Sequence, residues 1–139
     1  MTPAQIELVQ STWDAVKPNA DTVAELFYQR LFELDPSLKP LFKGDMKEQG
    51  KKLMATLSLA VASLTKLEEI LPAVQALGRR HVEYGVPEES YQTVGQALLD
   101  TLNKGLGDAF TDEVKEAWTQ TYVTLSTVMI EAGKTAEEA

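Results

Sequence analysis

An all-α fold in a single domain is what this sequence predicts, on three observations. Apolar residues recur at helical spacing along almost the whole chain, helix start and stop signals separate the stripes, and no alternating strand pattern occurs. With 139 residues the chain can bury one sizeable core but not two. Residues 1–139 are therefore read as one domain of six to seven main helices. The tail after Gly133 has no apolar residue larger than alanine and is expected to fray.

Thr2-Pro3-Ala4-Gln5 is a helix start, with a hydroxyl at the N-cap, proline at the first helical position and glutamine three residues after the cap. Ile6, Val9, Trp13 and Val16 follow at helical spacing. Lys17-Pro18-Asn19 ends that stripe, because proline lacks a donor and disfavours helix in the residue before it. A second helix carries Val23, Ala24, Phe27, Tyr28, Leu31 and Leu34. Asp35-Pro36 repeats the cap-then-proline signal and opens a short segment, which Pro40 limits and which leaves Phe42 at a corner. Asp45 with Glu48 reads as another capping box, for a helix on which Gln49, Leu53 and Leu57 share a face.

Leu67, Leu71, Val74, Leu77 and His81 form the next stripe, and Pro72 is expected to begin or kink its helix. Gly85 is read as a C-cap and Pro87-Glu88-Glu89 as the start of a helix bearing Tyr91, Val94, Leu98, Leu102 and Leu106. Gly107 ends it. Thr111-Asp112-Glu113 caps a last helix with Val114, Ala117, Trp118, Thr121, Leu125, Val128 and Met129 on its stripe.

Composition removes several function classes. A hydrophobic content of 44% and a charged content of 24% suit a soluble globular protein, with no apolar run long enough to insert in a membrane. The start, Met1-Thr2-Pro3-Ala4-Gln5, lacks the basic and apolar regions of a signal peptide, so a cytoplasmic location is expected. Zero cysteines agree with that compartment and exclude disulfides, thiolate catalysis and cysteine-ligated metals. A net charge of −8 repels phosphate backbones, and the pairs Arg79-Arg80 and Lys51-Lys52 do not offset it, so no nucleic-acid partner is expected.

The chemistry rests on His81, the only histidine. A lone histidine on an apolar helix face is more often a hydrogen-bonded core residue than a ligand, so the face alone does not decide. Tyr28 by itself reads equally as a buried aromatic with a surface hydroxyl, Gln49 as a solvated helix residue, and Phe42 and Leu53 as generic core. Several stretches add to these: Phe27-Tyr28-Gln29-Arg30-Leu31-Phe32, Pro40-Leu41-Phe42, Gln49 with Leu53, Ile70-Leu71-Pro72-Ala73-Val74 leading to His81, Tyr91 with Val94-Gly95, Leu106-Gly107-Asp108, and Ala117-Trp118 with Tyr122. In that order and spacing, from Ile6 to about Ile130, the chain resembles the globin family, in particular the single-domain bacterial haemoglobins and the globin domain of flavohaemoglobins.

The resemblance implies a globin fold and a haem b, iron protoporphyrin IX, between the helix bearing Gln49 and the helix bearing His81. His81 would be the axial ligand, since porphyrin iron needs a neutral imidazole at its fifth position. Leu77, Val86 and Val94 would cover the proximal face, Phe42 would lie against the porphyrin, Leu53 would bound the ligand space, Leu57 would also contact the cofactor, and Tyr91 would support the histidine. Tyr28 and Gln49 would donate hydrogen bonds to bound dioxygen, each slowing its release by roughly tenfold if worth about 1 to 1.5 kcal/mol. Lys52 and Arg80 are either partners of haem propionates or solvated surface charges.

With one histidine, a single chain cannot place two imidazoles on one iron, which favours binding of O2, NO and CO over pure electron transfer. Two departures limit the likeness. The chain ends where flavin and nicotinamide domains would begin, so an external reductase is expected. An ungapped count puts Gly133 where those globins carry a glutamate behind the histidine, Glu131 lies two residues earlier, and a backbone carbonyl is the expected partner of His81. The expected function is high-affinity oxygen binding with nitric oxide dioxygenase-type detoxification, by a monomer or weak homodimer. The alternative is an oxygen carrier or storage protein without enzymatic activity. His81→Ala is expected to abolish stable haem retention, read as loss of the Soret band after reconstitution with hemin; an unchanged spectrum would show the ligand to be another residue.

Overall fold

Thr2 opens the first helix as its spacing to Gln5 predicts. Its hydroxyl accepts from the Gln5 N–H at 3.1 Å, and the Gln5 side chain accepts from the Thr2 N–H at 3.0 Å. The computed structural model describes residues 2–42, 44–83 and 89–138. Within them lie α1 (Pro3–Val16), α2 (Ala20–Leu34), α3 (Met46–Ala62), α4 (Leu67–Glu83), α5 (Ser90–Leu106) and α6 (Asp112–Glu138), and no strand occurs among the described residues. Short 3-10 turns at Lys17–Asn19, Pro36–Leu41, Leu64–Lys66 and Gly107–Ala109 join them. The all-α class and helix number agree with the sequence reading.

Most boundaries follow their local signals. Asp35 accepts from the Ser37 N–H at 3.1 Å to start the proline turn, and Thr111 accepts from the Val114 N–H at 3.2 Å to start α6. Gly107 closes α5 at φ +56°, a left-handed position that other residues rarely adopt. Three details differ. Asp45 caps α3 through the Lys47 N–H at 2.8 Å rather than through Glu48. α4 begins at Leu67 rather than at Pro72 and carries the proline inside it, where the missing N–H leaves the Glu68 carbonyl without its helical donor and the ring crowds that carbonyl. The backbone of α6 stays helical to Glu138, past the point where fraying is expected. Gly85, Val86, Pro87 and Glu88 lie outside the described residues.

The core joins α1, α2, α5 and α6. Val9, Trp13 and Val16 meet Phe27, Leu31, Leu98, Leu102, Val114 and Trp118, all buried. Burial of each large apolar side chain contributes about 1.5 to 3 kcal/mol. The two indoles lie 6.0 Å apart, and each satisfies its N–H: Trp118 donates to Thr12 Oγ1 at 2.9 Å and Trp13 to Ser58 Oγ at 3.0 Å. The second bond, with Gln10 donating to the Val61 carbonyl at 3.0 Å, fastens α3 to α1.

Packing then sorts the helices into two groups that matter for the site. α3 rests on α2 and α1, while α4 rests on α6; among the described residues the consecutive pair α3 and α4 makes no extensive contact. The α4–α6 seam is very close. A Cβ built at Gly78 would stand 2.3 Å from the Met129 carbonyl oxygen, and one at Gly133 would stand 2.8 Å from Val82 Cγ2. Gly78→Ala must push α4 off α6, so it is expected to cost about 1 to 3 kcal/mol, read as a lower midpoint in chemical denaturation. A midpoint equal to that of the parent would show that the seam can relax.

Candidate functional site

Tyr28 is placed by the crossing of α2 and α3. A Cβ at Gly50 would lie 3.0 Å from Ala24 Cβ and 4.0 Å from Tyr28 Cε2, so the tyrosine ring lies against α3 beside Gln49. The ring is 8% exposed and belongs to an aromatic cluster. Phe42 meets it edge-on with centroids 5.3 Å apart, Phe32 meets Phe42 in the same manner at 5.4 Å, and Phe32 stacks on Tyr28 at 6.2 Å. Phe42 is held at its corner by its N–H, which donates to the Lys39 carbonyl at 3.1 Å. Gln49, Leu53 and Leu57 follow along one side of α3, each half-buried. Burial pushes the Tyr28 hydroxyl up to about 12, so at neutral pH it is a phenol able to donate.

His81 lies on α4, half-buried. Its Nδ1 is 2.7 Å from the Leu77 carbonyl oxygen, one turn earlier. A carbonyl only accepts, so Nδ1 carries the proton and Nε2 carries the lone pair. That is the tautomer a metal-ligating imidazole uses, with its second nitrogen oriented by a backbone acceptor. Tyr91 approaches the imidazole with ring centroids 6.1 Å apart and planes 34° apart.

Tyr91 is itself held. The Tyr122 hydroxyl donates to the Tyr91 carbonyl, and the Tyr122 ring packs where a Cβ at Gly95 would lie, 2.7 Å from Cε2. Burial raises the hydroxyls of both tyrosines above their ordinary value. The sequence reading includes Tyr122 as part of a resemblance and misses this role. Its spacing from Tyr91 carries no local signal, because the bond joins α5 to α6 across the fold.

The candidate residues thus form two sets. Tyr28, Phe42, Gln49, Leu53 and Leu57 belong to α2, the proline corner and α3; Leu77, His81 and Tyr91 belong to α4 and α5. Val94, half-buried on α5, packs on the edge of the core, and Val86 lies outside the described residues. Gly133 occupies the α4–α6 seam against Val82 and the Gly78 carbonyl. A groove of about 600 Å³ between α5 and α6, lined by Leu99, Tyr122, Val123 and Ile130, touches only Tyr91 among the candidate residues.

The residues present fit a haem. Two consecutive helices are left without extensive contact, half-buried apolar side chains lie on both, and one imidazole has a protonated, anchored Nδ1. Among the described residues, no group of three or more histidine and carboxylate side chains could hold a bare metal ion. Iron that brings four porphyrin nitrogens of its own needs only His81 from the chain.

A family model described as Globin matches residues 25–129. The chain is 35% identical over 131 residues to a flavohemoprotein of Oceanobacillus iheyensis and 33% identical over 135 residues to one of Vibrio cholerae. The alignments cover 92% and 94% of this chain but 32% and 34% of those proteins, so the chain spans about a third of their length. In three dimensions it is similar to a bacterial globin from Campylobacter jejuni, with a TM-score of 0.87, 26% identity and coverage of 99% of this chain and 100% of that one. It also shares its fold with an engineered carbene transferase, a candidate nitric oxide dioxygenase from Rhodothermus marinus. There the TM-score is 0.88 and the identity 22%, with coverage of 99% and 96%.

The raised tyrosines give a test of the site's packing. A hydroxyl that titrates higher when folded than when unfolded contributes stability that is complete below the ordinary tyrosine value near 10 and is lost as pH rises through the folded value. Stability is therefore expected to fall between about pH 10 and 12, the raised value at Tyr28. Tyr28→Phe is expected to reduce that fall and to remove one late step from the tyrosinate absorbance titration. A normal titration of all tyrosines would show Tyr28 to be open to water.

Proposed function

The chain belongs to the globin family, and from that premise we propose that it holds haem b between α3 and α4, with His81 as the axial ligand, and binds dioxygen with high affinity. The observation that carries this reading is the imidazole tautomer, set by the Leu77 carbonyl at 2.7 Å from Nδ1. Phe42, Leu53, Leu57, Leu77, Val86 and Val94 would then exclude water from the two faces. Bound haem would supply the iron at which O2, NO or CO attaches, and its ferrous state would supply the electron that conversion of nitric oxide and dioxygen to nitrate consumes.

Tyr28 and Gln49 are the donors toward a polar diatomic ligand. A neutral phenol donates without needing to lose a proton, and burial removes competing water, so its hydrogen bond is stronger there than in solvent. On the other side, Tyr122 fixes the Tyr91 backbone and Tyr91 meets His81, which limits rotation of the imidazole. We assign nitric oxide dioxygenation as the activity, in the cytosol, with electrons from a separate reductase. The curated relatives are flavohemoproteins, and this chain matches about a third of their length.

Oxygen carriage without turnover is the second reading, and one observation favours it. The partner of His81 Nδ1 is the neutral Leu77 carbonyl, which strengthens electron donation through the imidazole less than a carboxylate does. Mixing the oxygenated ferrous protein with nitric oxide separates the two: stoichiometric nitrate and ferric protein are expected, and slow or absent nitrate would leave the carrier. Tyr28→Phe is expected to speed oxygen dissociation by roughly tenfold, the equivalent of one hydrogen bond of about 1.4 kcal/mol, and Gln49→Leu by an equal or smaller factor. Stopped-flow oxygen release measures both, and unchanged rates would remove these two residues from the ligand site.

A further inference from the structure

The charge of this chain is unevenly spread. Between Lys39 and Lys52 there are five lysines, at 39, 43, 47, 51 and 52, against two acids, Asp45 and Glu48, in a protein whose net charge is −8. Lys39, Lys47, Lys51 and Lys52 are all exposed. None of these four is in an ion pair among the described residues. Asp45 is engaged in capping α3, through the Lys47 N–H at 2.8 Å, and the positive end of the α3 dipole points out of the same corner. The basic stretch contains Phe42 and Gln49, so it borders the residues proposed to line the haem cleft.

We propose that this corner, presented by Lys39, Lys47, Lys51 and Lys52, is the docking surface for an acidic electron-carrier protein that reduces the haem. The inference rests on the haem reading above. In the transfer, one electron leaves the carrier's reduced flavin or iron–sulfur centre and converts ferric to ferrous iron; no bond is made or broken. Outside this stretch acidic residues outnumber basic ones by more than two to one, so an acidic carrier is drawn to this corner over most of the remaining surface. Charges beyond about 8 Å are screened at physiological ionic strength, so the local lysines rather than the net charge govern the last approach. Complementary potentials of this kind act mainly on the association rate and on orientation.

The sign of the salt dependence tests the proposal. Two anionic proteins that meet at random repel, and their reaction speeds up as salt is added; docking at a basic corner makes it slow down. The probe is pre-reduced flavodoxin, an acidic flavoprotein, mixed in stopped flow with the ferric, haem-loaded protein. The bimolecular rate constant is expected to fall roughly tenfold from low to physiological ionic strength. Lys39→Glu/Lys47→Glu/Lys51→Glu is expected to remove both the fast rate and its fall with salt. Lys66→Glu/Lys104→Glu/Lys115→Glu, an equal change of charge on other elements, is expected to keep the fall.

A rate that rises with salt in the parent, or an equal loss in both variants, overturns the docking surface. Binding of phosphatidylserine vesicles that the first variant abolishes, with its reduction rate unmoved, also overturns it by making the corner a lipid site. The Soret absorbance and oxygen dissociation rate of each variant are measured alongside. Absence of haem in the parent would sink the haem reading and this inference with it, whereas intact haem with the wrong salt response sinks the inference alone.

Discussion

The contact on which the site depends is the near touching of the α4 and α6 backbones at Gly78. It fixes the helix bearing His81 to the longest helix of the fold, while α3 is fixed elsewhere, by the Trp13 and Gln10 hydrogen bonds to α1 and by its crossing with α2 at Gly50. Each wall of the proposed cleft thus has its own anchor, and the walls need not pack on each other. If α3 and α4 had only one another to cover their apolar faces, they would close together. Among the described residues each instead rests on other helices, α3 on α2 and α1 and α4 on α6.

The same arrangement gives the two sides different chemistry. Around Tyr28 the neighbours are aromatic rings, and the phenol is pushed up to about 12 by burial, so the hydroxyl is held as a donor. Around His81 the neighbours are a backbone carbonyl and a tyrosine ring, and the imidazole is held as a donor of electron density through Nε2. In the proposed haem site, one wall would act on what the ligand accepts and the other on what the metal gives. The α5–α6 groove, although larger than any single side chain, reaches this system only through Tyr91.

Much of this is legible in the sequence where the signal is local. Helix stripes, the Thr2–Gln5 capping box, the Asp35 proline turn and the Gly107 cap depend on residues within a few positions of each other, and all take the form their spacing predicts. What the spacing misreads is Glu48, because the cap closes on the nearer N–H, and the point where α4 starts, which is Leu67 rather than Pro72. Of the site, His81, Tyr28 and Tyr91 stand out by residue type and order. The Tyr122 bond and the Gly78 and Gly133 contacts do not, since each joins elements distant in the chain, and a glycine pressed against a neighbour looks in sequence like any other glycine.

Gly133 also bears on what the α4–α6 seam can accept. Any side chain at position 133 begins with a carbon 2.8 Å from Val82 Cγ2, so Val82 has to give way before the position can carry one. Changes at 133 and 82 are therefore expected to couple, because the two residues are in contact across the seam.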